Sequence, residues 1–142
     1  MNNIELQALR RLLFFTQQEA ASLISGTSHR AWQHWEDGKR SVPVDVEREI
    51  CKLAEWRCSA IDAAGKAMAH ASAGAVMRMP YYEDMIDWRG EPVLWRPHQS
   101  ACAELYVSGV DLVLFDSVNY HQWLTGREDS ESLRGAWAAQ VL

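Results

Sequence analysis

Residues 9–43, LRRLLFFTQQEAASLISGTSHRAWQHWEDGKRSVP, decide how this chain is read. The first N–H groups of a helix lack partners unless a side-chain oxygen just before it accepts from them, so short polar residues mark helix starts. Thr16, with Glu19 three positions later, fits a capping box. The helix it opens runs to about Ile24 and buries Ala20, Leu23 and Ile24. Gly26 supplies the left-handed conformation that ends this helix, and Ser28 is placed to cap the next. That third helix starts at His29 and stops at Asp37-Gly38.

Three short helices with this punctuation are the layout of a helix-turn-helix. Trp32 and Trp35 lie three apart and share one face, which a small three-helix unit needs for its core. His29, Arg30, Gln33 and His34 then project elsewhere. An arginine fork matches guanine O6 and N7, and a glutamine amide matches adenine N6 and N7, so these four are candidate base-reading residues for the major groove of double-stranded DNA. Taken alone, helix three reads equally well as four polar surface residues on a small bundle. Helix two, the turn and helix three together favour DNA.

At this point the chain resembles the Xre and phage-repressor helix-turn-helix family over about residues 5–56, on Leu9-Arg10, Gln17, Ala21, Gly26, Trp35-Glu36 and Gly38-Lys39. The resemblance implies an internal ion pair between Arg10 and Glu36 and a phosphate contact by Gln17. It places Arg30 and Gln33 at base-reading positions, with His29 and His34 flanking them. The turn between Ala21 and Gly26 is one residue longer than in the commonest repressors. More narrowly, the whole chain is similar to the YdiL-like proteins, related to the anti-CRISPR-associated autorepressors of phages. ELQALRRLL (5–13), SHRAWQHWEDG (28–38) and VPVDVEREI (42–50) carry this likeness, with a weaker echo in RPHQSACAELY (96–106). It implies a dimeric repressor with an N-terminal DNA-binding part and a C-terminal dimerising part.

Charge qualifies the DNA reading. Residues 1–48 hold six basic and six acidic side chains, whereas residues 49–142 hold eight basic and thirteen acidic ones. The front half is neutral and the acid excess lies behind it. Only positive potential within a Debye length, about 8 Å, matters to phosphates. Arg11, Lys39 and Arg40 supply it beside Arg30, and with Ser28 and Gln17 they form the candidate phosphate-contacting set. Weak non-specific binding follows, with reliance on base contacts and dimerisation.

Pro43 opens a long helical stretch at a position where proline sacrifices no hydrogen bond. Val46, Ile50 and Leu53 close the front core, with Trp56 beside them, and the helix is expected to continue to about Ala71. Behind it, residues 75–81 and 111–116 read as short strands, with a helix over 97–108 burying Ala101, Leu105 and Cys102 between them. Closing helices are expected over 118–124 and 130–141. Two short strands are marginal alone, but pairing across a two-fold axis would make a shared sheet. Trp88, Trp95, Trp123 and Trp137 anchor an interface or a second core. The predicted fold is mainly α with a small β element: a helix-turn-helix bundle and long connecting helix in residues 1–72, and an α+β dimerisation domain in residues 73–142. A self-contained α+β unit without a partner is the alternative.

An enzyme finds no support. Cys51 and Cys58 lack the close pairing of a zinc site, Cys102 stands alone, and His70, His98 and His121 share no ligand spacing. Asp84 and Asp87 lie in an expected solvated loop, and no phosphate loop or nucleophile motif appears. No metal or cofactor is expected. No apolar run approaches the roughly 20 residues of a membrane span, and no basic segment precedes an apolar one as in an export signal, so a cytoplasmic protein is expected. The expected function is a dimeric repressor of an inverted-repeat operator. A protein-interaction adaptor that keeps the fold, or an RNA-binding regulator using the same basic face, are the other readings.

Overall fold

The computed structural model describes residues 1–141; Leu142, the last position of the second expected domain, lies outside the described residues. The fold is mainly α with a small β element. Helix α1 spans Asn3–Leu12, opened by a capping box between Asn2 and Glu5. Helix α2 spans Gln17–Ala20, with the Thr16–Glu19 box at its start, and continues as a π-helical turn over Ala21–Ser25. Helix α3 spans His29–Glu36, and the Ser28 hydroxyl accepts from the Ala31 N–H. Leu6, Leu13, Phe15, Ala20, Trp32 and Trp35 form the core of these three helices, with Leu23 and Ile24 half-buried against it.

Helix α4, Val44–Ala69, is the spine of the molecule. At 1.5 Å per residue its 26 residues extend about 39 Å. Val46, Ile50 and Leu53 close the front core, and further along Ala64 packs with Leu105 and Val110 in a separate cluster. Pro43 stands just before the helix as its N-cap, one position earlier than expected, and the helix ends two residues short of Ala71. Trp56 is not in the front core; it is half-buried on the far side of Leu53 and lines a cleft of the back half.

Strand β1 (Arg78–Tyr81) and strand β2 (Asp111–Leu114) are shorter than expected. They pair with each other inside one chain, not across a two-fold axis. The pairing is parallel, with Arg78 opposite Asp111 and Tyr81 opposite Leu114. A parallel pair needs a long crossover, and helix α5 (Trp95–Val107) supplies it. This helix begins two residues before Pro97, because a proline in the first turn removes an N–H that has no helical partner anyway. Ala101, Cys102 and Leu105 are buried on it.

Helices α6 (Ser117–Leu124) and α7 (Glu131–Gln140) close a second core of Tyr82, Trp95, Phe115, Tyr120, Leu124 and Trp137, with Trp88 and Trp123 packed at its margin. All four back-half tryptophans therefore belong to this core. Arg134 is buried within it, its guanidinium 4.5 Å from the Phe115 ring. Its Nε and Nη2 donate to Asp129 at 3.0 and 2.8 Å, and Nη1 donates to the Asp87 carbonyl. No described helix is long and apolar enough to cross a membrane.

Candidate nucleic-acid interface

One carboxylate sets how α1, α2 and α3 meet. Glu36, at the end of α3 and almost fully buried, accepts from Arg10 Nε at 2.5 Å and Nη2 at 3.0 Å. It also accepts from the Trp32 indole at 2.6 Å and the Gln17 amide at 2.9 Å. The third face of the Arg10 guanidinium donates to the Phe15 carbonyl at 2.9 Å. Burial pushes the Glu36 carboxyl up, but the donors on it outweigh burial and hold it below the usual carboxylate range. A buried ion pair is stable only when its remaining polar atoms are satisfied; here each Glu36 oxygen takes two donors and each Arg10 guanidinium nitrogen reaches an acceptor. The result is a rigid seat for α3.

The outer face of α3 carries the base-reading candidates. His29 and Arg30 are exposed in its first turn, while Gln33 and His34 are half-buried one turn on. Charge here runs against the ordinary logic of a helix start. The positive end of the dipole favours anions, and α1, α2, α4 and α7 each place an acidic residue in the first turn. Helix α3 places none there and carries Arg30 instead; α5 likewise starts with Arg96, but that cation is paired with Glu19, whereas Arg30 has no ion pair among the described residues. Such a cation is unfavourable in the protein alone and becomes favourable beside an external anion.

The phosphate candidates are dispersed around this face. His29 Nε2 lies 3.4 Å from Gln17 Oε1, joining the first turns of α2 and α3. Gln17 is thus held between Glu36 and His29, with its second amide N–H unused among the described residues. The Arg40 N–H donates to the His34 carbonyl at 3.1 Å, which folds the loop after α3 back onto the helix end. Lys39 lies 3.8 Å from Asp37, a loose and exposed pair. Arg11 is exposed on the last turn of α1, its side chain without an ion pair or hydrogen bond among the described residues, and Ser28 is exposed while its hydroxyl caps α3.

The segment expected as a long turn between Ala21 and Gly26 is helical: Ala21–Ser25 winds as a π-helical turn, after which Gly26 adopts φ 62° and donates to the Ala21 carbonyl. Single π-turns of this kind recur at functional sites. Here it sits between Gln17 and Ser28, where it fixes the approach of α3. The Arg10 to Glu36 ion pair is the one the resemblance implies, whereas the Trp32 to Glu36 contact was not anticipated, its i, i+4 spacing being the signal that could have found it. The Gln17 contact with Glu36, and the ion pair between Arg96 on α5 and Glu19 on α2 at 2.7 Å, had no signal in the sequence.

The model of the Aca2/YdiL-like family matches residues 1–114. The chain belongs to this family. Its members include the Aca2 repressor of Pectobacterium phage ZF40, 36% identical over 119 residues that cover 80% of this chain and 100% of that protein. YdiL of Escherichia coli K12 is 28% identical over 117 residues, covering 78% of this chain and 98% of that protein. The family match therefore spans α1 to β2, and α6 and α7 lie beyond it.

Proposed function

We propose that this protein is a sequence-specific DNA-binding transcriptional repressor acting as a homodimer on an inverted repeat. Residues 1–72 serve as the helix-turn-helix unit and residues 73–142 as the dimerising domain, in the cytoplasm. The observation that carries the reading is the exposed, cationic first turn of α3 on a helix seated by the buried Glu36 hub. The relative named Aca2 repressor supports the same role.

Arg30 and Gln33 read base edges, His29 and His34 flank them, and Gln17, Arg11, Ser28, Lys39 and Arg40 contact phosphates. Dimerisation is supported by the outer edge of β2, with Leu114 exposed on it and Tyr106, Val107 and Val118 exposed nearby in the chain. Unpaired strand edges and exposed apolar side chains are the usual substrate of association. Two subunits would place α3 in successive major grooves, with half-sites about 10 bp apart or a multiple of it.

The test is selection of duplexes from a random pool, followed by gel shift of wild type and Arg30→Ala on the selected sequence. A bidentate arginine contact is worth ~1–3 kcal/mol and a dimer loses two, so specific binding is expected to disappear. Near-normal affinity of the variant would sink the assignment. Tighter binding to structured RNA than to any selected duplex would move the same face to a different partner.

A further inference from the structure

A cleft of about 490 Å³ opens between α4, β1, the start of α5 and α7, within the size range of small-molecule sites. Its apolar lining comes from Trp56, Met77, Met79 and Leu94. Trp88 closes one end, fixed by donation from its indole to the Glu91 carbonyl at 2.8 Å and lying so close over Gly90 that a Cβ there would meet the ring at 2.8 Å. Two charges of opposite sign stand on this lining without a hydrogen bond among the described residues. Arg89 comes within 3.6 Å of Asp129, but that carboxylate already accepts from Arg134 and Tyr120. Glu131, exposed in the first turn of α7, has no ion pair among the described residues. His98 faces the same space; its ring nitrogens find only the Cys102 sulfur, at 3.7 and 3.8 Å. Burial pushes this imidazole down to about 4, so it is neutral near pH 7.

Gly135 adds an independent sign. It sits in the interior of α7, where glycine costs up to ~1 kcal/mol relative to alanine. A Cβ built on it would meet nothing within 4 Å, so no packing contact demands the glycine. It stands on the wall of the cleft, where a larger side chain would take up space.

We propose that this cleft binds a small zwitterion of the amino-acid class with an apolar or aromatic side chain: its carboxylate on Arg89, its ammonium on Glu131, and its side chain between Trp88, Met79 and Trp56. Arg89 lies in the family-matched region, whereas Glu131 and Gly135 lie beyond it, so the complete site is a feature of this chain's added helices. Because Trp56 stands on the helix that also closes the front core, an occupant would bridge that helix to α7.

The experiment is calorimetric titration of the full chain with L-phenylalanine, 3-phenylpropionate, which lacks the ammonium, and phenethylamine, which lacks the carboxylate. Saturable one-site binding of phenylalanine is expected. Each truncated probe should bind about tenfold more weakly, the loss of one charge-assisted contact. Arg89→Gln should weaken phenylalanine about tenfold and leave phenethylamine unchanged, and Glu131→Gln should spare phenylpropionate in the same way. Gly135→Leu projects a branched side chain from the cleft wall, at a position where a Cβ meets nothing within 4 Å, and should abolish binding while circular dichroism and the thermal midpoint hold or rise. Absence of saturable heat with phenylalanine, equal affinity for phenylpropionate, or undiminished binding by a folded Gly135→Leu variant would each overturn the proposal.

Discussion

Arg96 forks onto Glu19 across 77 positions of sequence, with Nη2 2.7 Å from Oε1 and Nε 3.1 Å from Oε2. Glu19 is also the capping-box residue of α2, accepting from the Thr16 N–H at 3.0 Å. One carboxylate thus caps the helix and fastens it to α5. Arg96 is itself held: it stacks 4.0 Å from the Trp95 ring and donates to Gln99 at 2.8 Å, and Gln99 in turn donates to the Tyr82 carbonyl. Ser100 adds a hydrogen bond to the Leu12 carbonyl and receives one from Arg57. The start of α2 and the end of α1 are therefore fixed to the back half.

Removing this clamp should loosen the front helices without unfolding the second core. Arg96→Ala is expected to cost ~1–2 kcal/mol, between an exposed pair and a buried charged hydrogen bond, since both side chains are about one quarter exposed. Glu19→Gln should cost a similar amount, and the double variant less than the sum. Urea unfolding of the four proteins measures this coupling. Additive losses would mean that the fork contributes nothing to stability.

Acid should act through the same kind of group. Hydrogen bonds from Arg134 hold the Asp129 carboxyl at about 2, and donors hold Glu19 and Glu36 low against burial that pushes them up. A carboxylate whose folded value is depressed contributes stability that is complete above its unfolded value, near 4, and is lost as pH falls through the folded value. The thermal midpoint is therefore expected to begin falling below about pH 6.5, where the unfolded chain protonates a His98 that the fold keeps neutral, and to fall more steeply between about pH 4 and 2 as the carboxylates titrate. Asp129→Asn should lower the midpoint at neutral pH and shallow the acid limb. An acid limb identical to wild type would remove Asp129 from this account.

What the sequence disclosed and what it hid divide by distance along the chain. Thr16 with Glu19, Ser28 before His29, and Gly26 between them are local signals, and each stands as a cap or a left-handed stop in the structure. The strands at 78–81 and 111–114 were visible as short apolar runs, but their parallel partnership depends on the crossover through α5, which no local pattern encodes. Trp56 was misplaced because helical spacing after Leu53 continues the stripe, whereas α4 by then has left the front core and faces β1. The outer face of α3 was legible by elimination, since Trp32 and Trp35 take the buried face. The seat beneath it was half legible: Arg10 and Glu36 by resemblance, Gln17 only in three dimensions.

Phe14 offers a test of local strain. It follows the α1 cap at φ 66°, with its N–H donating to the Arg11 carbonyl and that of Phe15 to the Arg10 carbonyl. That is the six-to-one and five-to-two pairing of a Schellman end, which usually places glycine at the left-handed position. A bulky residue there pays about 1–2 kcal/mol, partly returned because glycine has more freedom when unfolded. Phe14 is 43% exposed, so truncation loses only part of what a fully buried ring contributes. Phe14→Gly is expected to stabilise the protein by roughly 1 kcal/mol, a few degrees in thermal midpoint. A destabilised variant would show that the ring makes contacts outweighing its backbone cost.

The two classes of proposed DNA contact separate in their response to salt and sequence. Arg11, Lys39 and Arg40 from two subunits would neutralise about six phosphates, for which the logarithm of affinity falls with the logarithm of salt at a slope of about −5. Lys39→Ala removes two of these charges, so the slope should shrink by about 2 while relative affinities among operator variants stay the same. Gln33→Ala should do the reverse: an unchanged slope and relaxed preference at one base position in each half-site, because an amide reads a base edge and releases no counterion. Lys39 is exposed and loosely paired, whereas Gln33 is half-buried one turn inside α3, consistent with these different reaches. Titrations at several salt concentrations on the selected duplex and its single-base variants measure both. An unchanged base preference in Gln33→Ala would shift direct readout onto Arg30 and its histidine neighbours.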